Sequence, residues 1–489
     1  MKQLLIIFIG VLLYTDNFSQ SCLPEGIAFT SQAQIDSFQI NYPNCTEIEG
    51  DVLIDDNVNT NIYNLNGLGV LNSIGGSLTI EYNSHLNDLT GLAGIGSIGG
   101  DLRLSQNHSV VNLIGFESLI SVGGTVNISI MYDLMNLTGL NNLTSIGEHL
   151  YIQQNDLLTS LIGLDALTSV GGDVFLWFNR SLINLTGLED LNSIGGSLGI
   201  YRNDDLINLS GLEGLSYIPG NLEIGNDIYY GNFSLISLSG LQGLTSIGGN
   251  LLIARNYDLL SLTGLEGLTT IGGDFGFWSN QSLPNFIGLD ALSSIGGDLL
   301  IGNFTLGWGG GQSLIDFMGL EGLTSIGGDL VILANNSLRS LSGLENIEAG
   351  SISNLSILVN PNLSSCDIQS ICDYLVAPNG LIWIEQNATG CNSQEEVEAA
   401  CEVSLDETYF NKNQVSIYPN PSYSSITIEN YSPDINSLLS VFNINGQKLE
   451  QQRITKTKTV IDLNQLPAGI YTLRITSDDK TKMYKLVKN

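Results

Sequence analysis

From about residue 50 to residue 365, apolar and polar positions follow one fixed schedule. In residues 325–335, SIGGDLVILAN, Leu330 and Ile332 are apolar with one residue between them. That is the mark of a short strand with one face turned inward. The pair recurs as Leu78/Ile80, Leu102/Leu104, Leu150/Ile152, Leu198/Ile200 and Leu251/Ile253. A second apolar edge runs through Ile74, Ile98, Val122, Ile146, Val170, Ile194, Ile247 and Ile295, and a third through Leu68, Leu92, Leu140, Leu164 and Leu188. The beat is kept by a leading glycine, from Gly67 to Gly343, spaced by 24 residues except before Gly240 and Gly319, where the spacing is 29 and 31. A period of this length predicts a solenoid, since one coil cannot bury its apolar edges alone. The expected fold is therefore all-β dominated: a right-handed parallel β solenoid of about twelve 24-residue coils over residues 51–365.

The polar positions are equally regular. Two glycines separate the second edge from the strand. Pro219 replaces the first in one coil; the second, replaced only by Glu148, is the expected φ > 0 position. After the strand stands an asparagine column, Asn83, Asn107, Asn155, Asn179, Asn203, Asn256, Asn280 and Asn335. Its side chains can serve turn backbone groups that lack a sheet partner, so it reads as an internal ladder. Asp101, Asp173, Asp274, Asp298 and Asp329 form a second column. Stacked carboxylates repel unless neutralised. A calcium ladder would neutralise them; capping of turn N–H groups is the plainer role, and Ser77, Ser197 and Asn221 in the same column favour it. No cofactor and no metal is expected.

The pattern GLxxLxSIGGxLxIxxNxxL resembles the leucine-rich-type repeats of receptor L-domain proteins, over roughly Cys22 to Cys401. The resemblance implies an L-domain-like solenoid and a binding role, and it carries no catalytic motif.

The ends differ from the body. Residues 1–20 read as a secretory signal peptide, with Lys2 ahead of the apolar run LLIIFIGVLL. Residues 21–50 are expected to form an N-terminal cap with a short helix opened by Thr30 or Ser31 and a Cys22–Cys45 disulfide. Residues 366–403 are a C-terminal cap holding Cys366, Cys372, Cys391 and Cys401, for which three connectivities remain open, and a short polar helix at 394–400. Residues 404–414 read as a linker. Beyond it, residues 415–489 alternate as a small antiparallel β-sandwich. Charge divides at the same place: six basic residues stand against 43 acidic ones before residue 411, and ten against six after it. Nucleic acid is excluded as a partner, because its phosphates need Lys and Arg. The stretches YPNPS (418–422), NGQKL (445–449), LPAGIYTLRI (466–475) and KLVKN (485–489) resemble the type A C-terminal sorting domain of the type IX secretion system of Bacteroidota. That resemblance implies secretion or cell-surface display through the type IX machinery. No transmembrane span is expected.

Ligand-binding candidates lie on the outward side of the main sheet. Tyr151, Phe175, Trp177 and Tyr201 fall on successive coils and should form one aromatic patch, a surface suited to a glycan or a protein partner. The two long repeats place insertions at one corner, with Tyr229 and Tyr230 in the first and Trp308 in the second; Arg255, Tyr257 and Trp278 lie between them, and a shallow groove is expected there. The three histidines, His85, His108 and His149, have no nucleophile in register, and no metalloprotease, nucleophile-elbow or phosphate-loop motif is present. The expectation is a non-enzymatic recognition or adhesion protein. The alternatives are a self-associating envelope or matrix component and, behind it, a polysaccharide-active enzyme.

Overall fold

The computed structural model describes residues 21–56, 61–226, 230–302, 313–408, 415–419, 422–430, 437–443, 447–454, 456, 458–477 and 480–488. The signal segment, Tyr229, Trp308 and residues 409–414 of the expected linker lie outside them. The chain divides into two compact units, Met1–Glu398 and Ala399–Asn489.

The first unit is a parallel β-solenoid. Its main sheet has fifteen strands stacked in chain order, from Ile27–Phe29 to Ile382–Glu385. Successive strands pair in strict register, as Leu150↔Val174↔Leu198 illustrates. The stack is longer than the twelve coils expected: residues 51–365 hold thirteen of its strands, from Val52–Asp55 to Leu355–Leu358, and each cap segment adds one. Each coil buries more than three edges. In one turn Leu182, Leu185, Leu188, Leu191, Ile194, Leu198 and Ile200 all point inward and are at most 5% exposed. The three-residue steps come from tight turns, such as Leu188 N–H to Leu185 O at 3.2 Å and Leu191 N–H to Leu188 O at 3.0 Å. The step of two comes from the strand.

The second edge is built of two-residue strands and splits into an eight-stranded sheet ending at Ser193–Ile194 and a five-stranded one starting at Tyr217–Ile218. Pro219 explains the break. Elsewhere the first glycine of the pair donates its N–H to the carbonyl of the coil before, as Gly195 does to Val170 at 2.9 Å and Gly248 to Ile218 at 2.8 Å. A proline has no N–H to give Ile194.

The glycines take other roles than expected. The second of the pair does not hold φ > 0. It is small because coils touch there: a Cβ on Gly196 would stand 2.1 Å from the Asp173 carboxylate. Positive φ falls instead on the leading glycine from Gly115 onward, for example Gly187 at +111°. It also falls on the last residue of the corner after the strand, whatever its type: Tyr82, Gln106, Phe178, Arg202 and Ala334, each before an asparagine, and Ile130, before Met131, all lie near +55° to +61°.

Both caps are tied by disulfides. Cys22 bonds Cys45, as expected, and Cys366 bonds Cys391. Cys372 and Cys401 are also disulfide-bonded, so of the three connectivities one remains. At the N-terminal end the helix Gln32–Asp36 docks through buried Gln32, whose side-chain carbonyl accepts the N–H groups of Tyr63 and Asn64. Ser31 occupies the N-cap without a side-chain capping bond; Gln34 reaches back to the Thr30 N–H instead, at 2.7 Å. At the far end an unforeseen helix, Gln369–Val376, buries Ile371 and Tyr374. The helix expected at 394–400 extends over Gln394–Thr408, so residues 404–408 are helical rather than linker. The second unit holds two antiparallel sheets, of three and four strands, around a core that includes Ile426, Ile428, Leu439, Val441, Leu473 and Leu486.

Candidate ligand-binding face

The outward residues of the main sheet fall into two columns, set by strand register. Tyr151, Phe175 and Gly199 are direct neighbours in one; Gln153, Trp177 and Tyr201 are neighbours in the other. The four aromatics expected to meet do meet. Ring centroids are 5.8 Å apart for Tyr151–Phe175, 5.9 Å for Phe175–Trp177, 6.0 Å for Trp177–Tyr201 and 6.3 Å for Phe175–Tyr201. Most pairs are tilted or edge-on, the arrangement the ring quadrupole favours. Gly199 makes room for them: a Cβ there would stand 2.3 Å from the Phe175 ring. All four aromatic side chains are half-buried, each with part of its ring toward solvent. His149 stacks on Tyr151 at 5.4 Å and extends the band by one ring. Its Nδ1 accepts the Asp173 N–H at 2.9 Å, which leaves the ring proton on Nε2; the Asp173 carboxylate at 3.3 Å is then a neighbour rather than an ion-pair partner.

Burial pushes the Tyr201 phenol up to about 12, with smaller contributions from Glu223 and Tyr151. Burial also raises Tyr151, with Asp173 and Glu148 adding to it. Both hydroxyls therefore remain protonated, and able to donate, throughout the physiological range.

Further ring contacts follow the strand ends in sequence. Phe178 packs edge-on against Tyr230 at 4.9 Å. On the next side the Arg202 guanidinium lies 5.0 Å over the Phe233 ring, and Phe233 stacks on Tyr257 at 5.4 Å. Arg202 also faces Asp204 at 3.5 Å, and Arg180 lies between Asp156 and Asp204 at 3.3 and 3.8 Å. Burial raises the Asp204 carboxyl, against the lowering pull of Arg202 and Arg180.

The expected groove between the insertions is not assembled as foreseen. Trp278 is 7% exposed and Arg255 4%, so neither offers an open surface. The cause lies beside Trp278: Gly276 has no side chain, and the indole folds flat over it, 2.6 Å from where a Cβ would stand. Tyr230 pairs with Phe178 and Tyr257 with Phe233. Phe178, Arg202, Phe233 and His149 were missed by sequence reading. Phe233 was within reach, because it stands 24 residues before Tyr257. Phe178 was not, because only the left-handed corner turns it outward.

The aspartate column is a run of caps. Asp173, Asp274 and Asp298 each accept the N–H of the same position one coil on, at 2.6, 2.8 and 2.7 Å, and Ser77 and Asn221 do the same.

Among the described residues no helix is long and apolar enough to cross a membrane. Residues 416–489 match the family described as Secretion system C-terminal sorting domain. No curated protein matches the chain. The matched tail, of the type IX system, places the protein outside the cell, secreted or at the cell surface, and implies an encounter with that secretion machinery.

Proposed function

We propose, with export as the premise, that the solenoid is a recognition or adhesion module of the L-domain-like kind that binds a glycan or a surface protein through its aromatic sheet face. The observation that carries this reading is the contiguous half-buried cluster of Tyr151, Phe175, Trp177 and Tyr201 on a sheet that is otherwise regular. A solenoid needs no such cluster for its own core, which lies on the opposite side of the strands. Each ring pairs apolar area with, in Tyr and Trp, a polar handle, and such residues dominate binding energy where they are used. The reading involves no catalytic step and no cofactor.

The test is to probe the full chain on arrays of glycans and outer-surface proteins and then titrate the best ligand. Trp177→Ala and Tyr201→Ala should each weaken binding by roughly tenfold or more, the scale of an interface hot spot. An unchanged melting temperature would show that the solenoid is intact. Undiminished binding by the double variant would overturn the reading.

A further inference from the structure

The charges around the aromatic face select among the ligands it could take. Carboxylates stand at both ends of the ring cluster. Glu148 and Asp173 lie just before the strands Leu150–Gln153 and Val174–Trp177, which carry Tyr151, Phe175 and Trp177. Glu223 lies in the strand after Tyr201, as the direct register neighbour of Gly199. Their fields reach the rings. Burial does most to raise the two phenols, and then Asp173 and Glu148 act on Tyr151 and Glu223 acts on Tyr201. Asp173 and Glu223 are two coils apart, about 10 Å along the axis.

Cations are scarce in the same unit. There is no lysine between Lys2 and Lys412, and the only basic residues from 21 to 410 are five arginines. Three of them already face acids: Arg103 lies 3.3 Å from Glu81, Arg180 3.3 Å from Asp156 and Arg202 3.5 Å from Asp204. His149 accepts the Asp173 N–H at Nδ1 and so brings no positive charge to the cluster. The face is therefore negative for two separate reasons. The quadrupole of each ring puts negative charge on its flat side, and the flanking carboxylates add charge of the same sign.

We infer, resting on the reading of this face as the ligand site, that it takes the cationic side chains of a basic segment of a partner protein. Lysine or arginine stems lie across the rings, and their charged heads reach the carboxylates at either end. Charge complementarity selects a cation over a neutral or acidic ligand. Reach selects a peptide. Lys and Arg carry about three or four methylenes behind the charge, so the stem can cover ring area while the head stays beside an acid. Side chains two to four residues apart on one face of an extended chain are about 7–13 Å apart, which brackets the separation of Asp173 and Glu223. An amino sugar holds its ammonium directly on the ring and has no stem to span from the rings to the acids.

The test is calorimetric titration of the full chain with four probes: octalysine, octaglutamate, cellohexaose and the hexamer of glucosamine. Octalysine should bind most tightly, and more weakly as salt rises. Trp177→Ala changes no charge and should weaken octalysine by about tenfold or more. Glu148→Gln with Glu223→Gln, which keeps both shapes, should weaken it by a similar factor. Glu321→Gln with Glu345→Gln removes as much charge from another corner, where each glutamate accepts a glycine N–H as Gln242 does in the same column. That pair should leave Kd within about twofold. Unchanged melting temperatures would show each variant folded. Octalysine binding that is indifferent to Trp177→Ala, or weakened equally by the two glutamine pairs, reflects attraction to the acidic chain at large and overturns the inference. Failure of octalysine to bind at about 1 mM overturns it too. Another probe that binds more tightly, and loses that binding in Trp177→Ala, overturns it while leaving the face as the ligand site. Undiminished binding of the array ligand by Trp177→Ala with Tyr201→Ala would instead remove the reading beneath it.

Discussion

Two corners of each coil carry side-chain ladders, and they obey different rules. At the corner after the strand the ladder is asparagine, buried to 0–1% exposure from Asn83 to Asn360. Members such as Asn179 work twice. Asn179 donates from Nδ2 to the Ile152 carbonyl at 2.8 Å, and its Oδ1 accepts the Asn155 N–H at 3.2 Å. At the corner before the strand the successive members are Asp173, Ser197, Asn221 and Asn250, each accepting one N–H at 2.6–3.0 Å and partly open to solvent. The buried corner needs a donor and an acceptor in one short side chain, because no water can supply either. The other corner needs an acceptor, and water completes the rest. Burial, rather than the bond itself, therefore decides how narrowly the sequence is constrained.

Exchanging members between the corners tests this. Asn179→Asp keeps the acceptor and shape, removes the donor from Ile152 O and buries a carboxylate. It should cost about 3–5 kcal/mol in urea unfolding; a loss under about 1 kcal/mol would break the comparison. Asp298→Ala strips the Asp329 N–H of its partner where solvent can replace it and should cost about 1 kcal/mol. Asp298→Asn, the reverse of the first exchange, should stay within about 0.5 kcal/mol. The sheet face is an intermediate case, outward yet partly dehydrated. Tyr201 rises from 10.0 to about 12 on folding. Between those values the unfolded chain has lost the proton and the folded chain keeps it. Stability should therefore be untouched below pH 10 and fall as pH climbs from about 10 to about 12. Melting temperatures across that window should fall less steeply in Tyr201→Phe than in the parent chain.

The period, the inward Leu/Ile pairs and the first disulfide were all legible because each rests on residue type at a fixed spacing. The aromatic cluster was legible for the same reason: Tyr151, Phe175, Trp177 and Tyr201 sit in columns that register alone defines. What escaped depends on backbone shape. The left-handed residue at the corner before Asn83, Asn107, Asn179 and Asn203 is Tyr82, Gln106, Phe178 and Arg202 in turn, so no residue type announces it. The double glycine looked conformational and proved to be steric, since adjacent coils touch there. Trp278 was placed outward correctly but lies flat, a consequence of its neighbour Gly276 rather than of its own position. Asn232 was overlooked although it stands 24 residues before Asn256; the first insertion moved it away from its strand and hid the count.

That asparagine has a practical implication. The strand of the first long coil ends one residue early, at Ile224, and Gly225 turns left-handed in its place. The ladder then resumes at Asn232 with its bonds to Asn256 and Ile200 intact. Nature has thus already spliced foreign length into this bend without disturbing the stack on either side. The cost of lengthening such a closed excursion grows only logarithmically. An engineer wishing to graft a peptide epitope, or display a tag at the cell exterior, would choose the span between Gly225 and Gly231.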